Sequence, residues 1–235
     1  MSDQSTAESL KKRSIRSFVK RTGRLTAGQQ QALQQLWPVY GVEFDPACAL
    51  DLPALFPGHN NFTLEIGFGN GDSLVEMAAN DPSTAYLGIE VHEPGVGHCL
   101  HRLHQRGLKN LRVMRRDALD VMQYMLPDRS LHRVLLFFPD PWHKKKHHKR
   151  RIVNPEFREL VSRRLKPGGI LHLATDWQDY AEHMAREMLG DPRFVNLGDA
   201  EGYHPRPGGR PETRFEQRGQ RLGHGVWDLL FALAD

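Results

Sequence analysis

From residue 62 to residue 189, short apolar runs alternate with helix-length segments, and this order leaves few ways to fold. FTLEIGF (62–68), AYLGIEV (85–91), LRVMRRD (111–117), HRVLLFF (132–138) and GGILHLAT (168–175) read as strands. Helices are expected over 72–80, near 94–106, over 118–126, near 155–165 and over 177–189. Strands and helices in strict alternation specify an α/β fold with a doubly wound, mostly parallel sheet. RFVNL (193–197) and VWDLLFALA (226–234) are also strand-like, and no crossover helix fits the Gly-, Pro- and Arg-rich segment between them. They are expected as an antiparallel hairpin at one edge, giving seven strands. Such sheets bind ligands beyond the carboxyl ends of their strands, and a loop as long as the one before residue 226 is usually functional or disordered.

Before the alternation, residues 26–40 read as a short helix ended by Pro38, and 41–60 as a connector. Residues 1–24 form a polar, basic, flexible tail, and 25–235 a single domain. With 39% hydrophobic residues among 235, the chain has enough apolar mass for a core. No run approaches the ~18 apolar residues of a membrane helix, and the N-terminus does not resemble a signal peptide, so the expected location is cytoplasmic. Two cysteines, Cys48 and Cys99, exclude a disulfide framework and a cysteine zinc site.

The formal net charge is only +4, but the cations are clustered. Residues 11–24 carry seven Lys or Arg and no acid, and residues 144–151 carry six more, interleaved with His147 and His148. Two basic blocks on a nearly balanced chain point to a polyanion, most often nucleic acid, with a merely solvated surface as the alternative.

The strand ends carry the candidate chemistry. Glu65-Ile66-Gly67-Phe68-Gly69-Asn70-Gly71 closes the first strand. Its glycines allow a tight turn and close approach of a ligand to the backbone. The spacing is not the G-x-G-x-x-G of dinucleotide enzymes, and Asp72 at the start of the next helix disfavours an anion. Glu90 ends the second strand about where a carboxylate accepts from ribose hydroxyls. Asp117, after the third, suits an adenine amino group or a helix N-cap equally. Together these groups fit an adenosine that carries a cation and no phosphate, which is S-adenosylmethionine. His98, His101 and His104 share a helix with Cys99, but without a zinc signature they are read as a surface face and no metal is expected.

These motifs resemble the Rossmann-like S-adenosylmethionine methyltransferases. PDPWHKKKHHKRR (139–151) narrows the resemblance to the tRNA (guanine-N7) methyltransferase family, as do RSFVKRTGRLTAGQ (16–29), LEIGFGNG (64–71), GIEVH (88–92), ATDW (174–177) and TRFE (213–216). It covers nearly the whole chain from about residue 15. One departure is Lys146, where arginine is common; it keeps the charge but loses a bidentate donor.

The resemblance implies methyl transfer from S-adenosyl-L-methionine to N7 of a guanine in the tRNA variable loop, releasing S-adenosyl-L-homocysteine. It implies Glu65, Gly67, Gly69, Gly71, Glu90, Asp117 and Asp140 at the cofactor, with Asp140 also catalytic. Lys144, Asp176, Thr213, Arg214, Phe215 and Glu216 are implied as substrate contacts, and Lys146, His147, His148, Lys149, Arg150 and Arg151 as the RNA-facing segment. Asp140 would orient the base between prolines that restrict its backbone, the alternative being a turn residue. The alternative for Asp176 is an N-cap for the next helix, which is compatible with a substrate contact. Trp142 could stack on a base or fill the core, and core is favoured. The partner implied is tRNA, with no membrane and no obligate protein partner, as monomer or weak homodimer. Rival readings are a nicotinamide-dependent dehydrogenase, an RNA-binding module without catalysis, and a methyltransferase acting on a protein or small molecule.

Overall fold

The computed structural model describes residues 15–19, 23–213, 216, 223 and 225–235. Helix α1 (Ala27–Tyr40) and the short α2 (Leu52–Leu55) precede β1 (Asn61–Ile66). Then follow α3 (Asp72–Asn80), β2 (Thr84–Ile89), α4 (Glu93–Gln105), β3 (Leu111–Met114), α5 (Ala118–Tyr124) and β4 (Leu131–Phe137). A 3-10 turn (Lys145–Arg150) leads to α6 (Pro155–Arg164), β5 (Leu165–Thr175), α7 (Gln178–Leu189), β6 (Phe194–Asn196) and β7 (Trp227–Leu233).

The sheet has seven strands in the order β3-β2-β1-β4-β5-β7-β6. The first five are parallel; β7 runs antiparallel to both β5 and β6. The C-terminal strands therefore form the expected edge hairpin, with β7 as its inner strand. Strand order reverses at β1, between β2 and β4, which is where ligands bind in open α/β sheets.

Each face of the sheet is sealed by helices whose apolar stripes the sequence spaces at helical period. Leu119, Met122, Phe157, Leu160, Tyr180 and Met184 of α5, α6 and α7 pack on one face. Ala32, Leu74, Val96 and Leu100 of α1, α3 and α4 pack on the other. Local signals set the helix starts. Thr26 and Gln29 form a reciprocal capping box on α1, and Asn154 caps α6, with Pro155 as its first residue.

Three expectations need correction. Pro38 lies inside α1, which continues to Tyr40; near a helix C-terminus, proline removes one N–H bond without preventing a last half-turn. Strands β1 to β3 stop at Ile66, Ile89 and Met114, two or three residues short of the expected ends, because the chain turns off the sheet there. Strand β5 begins at Leu165, not after the Pro167-Gly168-Gly169 turn. Its pairing jumps from Leu131↔Leu165 to Arg133↔Ile170, so that turn is an irregularity within the strand.

Candidate active site

The turn after β1 is built on glycine geometry. Gly67, Gly69 and Gly71 have φ of 73°, 61° and 79°, a region that costs L-residues with a Cβ about 1–2 kcal/mol each. A Cβ on Gly67 or Gly69 would meet only open space, whereas one on Gly71 would lie 2.4 Å from Cys99 Sγ. The first two glycines thus face a cavity and the third seats the turn against α4. Glu90 ties the turn down: its Oε2 accepts from Gly69 N–H at 2.9 Å, and its Oε1 from the N–H groups of Val91 and His92 at 2.6 and 2.8 Å. A carboxylate has about four acceptor positions, so Glu90 retains one for a ligand.

Glu65 sits one residue earlier in β1, between Gly88 and Leu135 in register. It is buried, and among the described residues its Oε2 has no hydrogen-bond partner. Burial, and secondarily the neighbouring Glu90 carboxylate, push its pKa up to about 8. Glu65 is thus a neutral acid at pH 7 until a positive group reaches it.

Two cavities meet at Gly67, Gly69, Phe137 and Phe138. The smaller, about 230 Å³, has apolar walls from Ile66, Ile89, Ala118, Leu136 and Ile152, and its rim carries Glu90, Asp117 and Asp140. The larger, about 670 Å³, holds Glu65, Asp72, Glu76 and Glu212 with Thr213, and no described Lys or Arg lines it. Strands β1 to β4 thus bring the four predicted acids Glu65, Glu90, Asp117 and Asp140 to one connected space. Asp117 also caps α5 by accepting from Leu119 N–H at 3.1 Å. Asp72 stands in the first turn of α3 and pairs with Arg102 at 3.6 Å.

Asp140 is exposed at the mouth of the smaller cavity. The residues bracketing its proline pair, Phe138 and Trp142, have φ of 50° and 51°. Bulky aromatics there store strain, of the order of 1–3 kcal/mol each, which persists only where the surroundings enforce it. The carboxylate is therefore held on a stiff, strained corner.

The basic block divides. Lys144, Lys145, Lys146 and Lys149 are exposed along the 3-10 turn, with His147 and His148 half-buried beside them. His147 is pushed below its ordinary pKa by desolvation and by the surrounding lysines and Arg150. The last two arginines of the segment expected to face RNA make their contacts within the protein. Arg151 is 2% exposed; it donates to the Pro141 carbonyl at 2.9 Å, pairs with Asp179 and lies 4.8 Å over the Tyr180 ring. Arg150 donates to the carbonyls of Arg16 and Phe18 at 3.1 and 3.0 Å and stacks 3.9 Å from the Trp142 ring. Trp142 Nε1 donates to the Ser17 carbonyl at 3.2 Å. Trp142 is therefore neither core filler nor an open base platform. Together these contacts hold residues 16–18, expected within a flexible tail, and Ser17 and Phe18 line the smaller cavity. Sequence reasoning missed these two residues.

Asp176 lines a separate hollow with Trp177 and Trp227, apart from the two joined cavities. It does not cap α7, whose N-cap is Trp177 without a side-chain bond. His143 packs against Trp177, ring centroids 4.1 Å apart. Thr213 Oγ1 accepts from Glu216 N–H at 3.1 Å. Glu216, expected as an acceptor from guanine, is 2% exposed, with both oxygens held by Arg210 at 2.7 and 3.0 Å. Arg214 and Phe215 lie outside the described residues. Among the described residues, no three His, Cys, Asp or Glu side chains converge as a metal site would need, and no helix is long and apolar enough to cross a membrane.

A family model described as "Putative methyltransferase" matches residues 59–229. A tRNA (guanine-N(7)-)-methyltransferase of Cronobacter sakazakii is 60% identical over 219 residues, 93% of this chain and 91% of its own. One of Shewanella amazonensis is 54% identical over 235 residues, 98% of each chain. Among solved structures, the 16S rRNA methyltransferase KamB superposes with a TM-score of 0.55 at 16% identity, covering 83% of this chain and 96% of its own. A 16S rRNA (adenine(1408)-N(1))-methyltransferase from Catenulisporales acidiphilia, solved with its cosubstrate SAM, gives 0.51 at 14% identity, covering 83% and 93%. At that identity the structural likeness concerns the fold.

Proposed function

The chain belongs to the tRNA (guanine-N(7)-)-methyltransferase family, and we propose that it transfers a methyl group from S-adenosyl-L-methionine to N7 of a guanine in the variable loop of tRNA. The observation that carries this reading is the acid-lined double cavity at the carboxyl ends of β1 to β4, with exposed lysines on the adjoining turn. The residues fit the cofactor. The apolar smaller cavity suits an adenine, with Asp117 accepting from its amino group and Glu90 from a ribose hydroxyl. Gly67 and Gly69 leave the backbone open to close approach, and Gly71 fixes the turn. The larger cavity, acidic and with Glu65 offering an orphaned buried oxygen, suits a cationic tail. When bound, S-adenosylmethionine supplies a methyl group already activated on a sulfonium.

The protein then has little bond chemistry to perform. Guanine N7 carries a free lone pair, as its acceptor role in base readout shows, so no proton need leave before attack. Rate comes from alignment, which can contribute up to about 7–11 kcal/mol, and from fixed charges where positive charge arrives on the base. Asp140 accepts from the guanine N1–H and exocyclic amino group, which turns N7 inward and favours the cationic product. Lys144, Asp176 and Thr213 complete the substrate contacts. Lys146, His147, His148 and Lys149 face the RNA backbone; phosphate contacts position the RNA while base contacts select the target. Residues 25–235 form the catalytic domain, and Ser17 and Phe18 of the basic segment 1–24 add to the wall of its smaller cavity.

The test is transfer of labelled methyl to unmodified tRNA, followed by nuclease digestion and nucleoside analysis. Label in 7-methylguanosine is expected. Label in another nucleoside overturns the acceptor, and stabilisation by NAD rather than S-adenosylmethionine overturns the cofactor.

A further inference from the structure

We infer that Arg210, a buried residue on the loop between β6 and β7, is a positioning residue for methyl transfer, acting by holding Glu216 and, through it, Thr213 at the wall of the cofactor cavity. This rests on the reaction proposed above and changes the part Glu216 plays in it.

Arg210 is 3% exposed, and its guanidinium spans two carboxylates. Nη1 and Nη2 donate to Glu216 Oε2 and Oε1 at 2.7 and 3.0 Å. Nη2 also donates to Asp228 Oδ2 at 3.0 Å, and Nε lies 2.8 Å from Asp228 Oδ1. Asp228 is fixed in β7, opposite Ala174 of β5, and its Oδ1 is 2.7 Å from Nε2 of the buried His172. The cation sits 5.9 and 5.7 Å from the Phe137 and Phe138 rings, which line both cavities and lead directly into Pro139-Asp140. On the other side, Glu216 N–H donates to Thr213 Oγ1, and Thr213 lines the larger cavity with Glu65. The contacts thus run from β5 and β7 through Asp228, Arg210 and Glu216 to Thr213.

Two features make this an anchor rather than a substrate contact. Both Glu216 oxygens are taken up by Arg210, with Arg206 Nη1 a further 3.4 Å from Oε1. The bidentate fork fixes direction as well as charge, which a lysine cannot reproduce. A segment that loses such an anchor shifts, and a misplacement of about 1 Å can cost about 10²-fold in rate.

The experiment is a double-mutant cycle of Arg210→Met and Glu216→Gln in the full chain. It is read in kcat, in KM for tRNA and in the dissociation constant of S-adenosylmethionine, with thermal unfolding recorded alongside. Each single variant is expected to lower kcat/KM about 10²-fold, and the double variant by no more than the worse single, because both break one link. Arg210→Lys is expected to recover less than tenfold, and it provides the cycle should Arg210→Met not fold. Multiplying effects of the two substitutions would overturn the inference, since Glu216 would then act on the substrate by itself. Unchanged kcat and KM with only a lowered melting temperature would overturn it too, leaving Arg210 a stability residue. The cofactor arm needs no tRNA, so a wild type that methylates no tRNA sinks the proposed reaction while the coupling between Arg210 and Glu216 is still read.

Discussion

The acids at the ends of β1 to β3 and the cations beyond β4 face the same sheet edge, but the fold holds them in opposite ways. Glu65, Glu90 and Asp117 are buried, and backbone N–H groups or neighbouring strands fix each one. Lys144 to Lys149 stand on a short exposed turn, and only the two arginines that end the run are drawn inward. A carboxylate that must read a small ligand is worth desolvating, because direction then counts. A cation that meets phosphate through water works by charge and keeps its freedom. The contrast also shows that a run of like charges is not one functional unit: its last members fasten the chain on which the others are displayed.

The largest effect expected from this contrast is at Glu65. The folded state keeps its proton up to about pH 8, while the unfolded chain loses it near 4.5. Between these values the unfolded state binds fewer protons, so stability falls as pH rises through the window. Glu65→Gln removes that dependence. Its stability advantage over the wild type, measured by urea unfolding, should grow from near zero at pH 4.5 to about 3–4 kcal/mol at pH 8, at ~1.4 kcal/mol per pKa unit. A gap that stays constant with pH would show a carboxylate ionised throughout, and the contrast between desolvated acids and solvated cations would fail at its deepest member.

Arg151→Ala comes next. Removing a buried guanidinium that satisfies the Pro141 carbonyl and covers Tyr180 should cost about 2–3 kcal/mol. For a chain of this length that lowers the melting temperature by roughly 2–4 °C per kcal/mol. Lys149→Ala gives the smallest effect. Its melting temperature should match the wild type, while the slope of log affinity for tRNA against log salt falls by ~0.7–0.9. If Arg151→Ala changed the salt slope and left the melting temperature alone, the division of the basic block would be wrong.

The sequence showed the sheet, its ligand-binding edge and the four acids, because each follows from local pattern: an apolar run, a glycine turn, a carboxylate at a strand end. The features it hid depend on contacts between distant residues. Arg150 and Trp142 reach carbonyls 125 to 134 positions away, and Lys146 and Arg151 look alike in a run with no periodicity. Glu216 reads as a substrate acceptor until Arg210 is seen to hold both its oxygens. Pro38 shows a weaker kind of failure, in which a local rule yields to half a turn of packing.

The most direct test of the account compares the wild type with Asp140→Ala in single-turnover methyl transfer to tRNA, with S-adenosylmethionine binding measured on both. Asp140 lies at the cavity mouth and bears on the base, so the variant should bind cofactor within a fewfold of the wild type and form 7-methylguanosine about 10²–10³-fold more slowly, the usual cost of one well-placed electrostatic group. Methylation at the wild-type rate, or a rate loss wholly explained by lost cofactor affinity, would contradict the claim that the PDPW carboxylate positions the guanine.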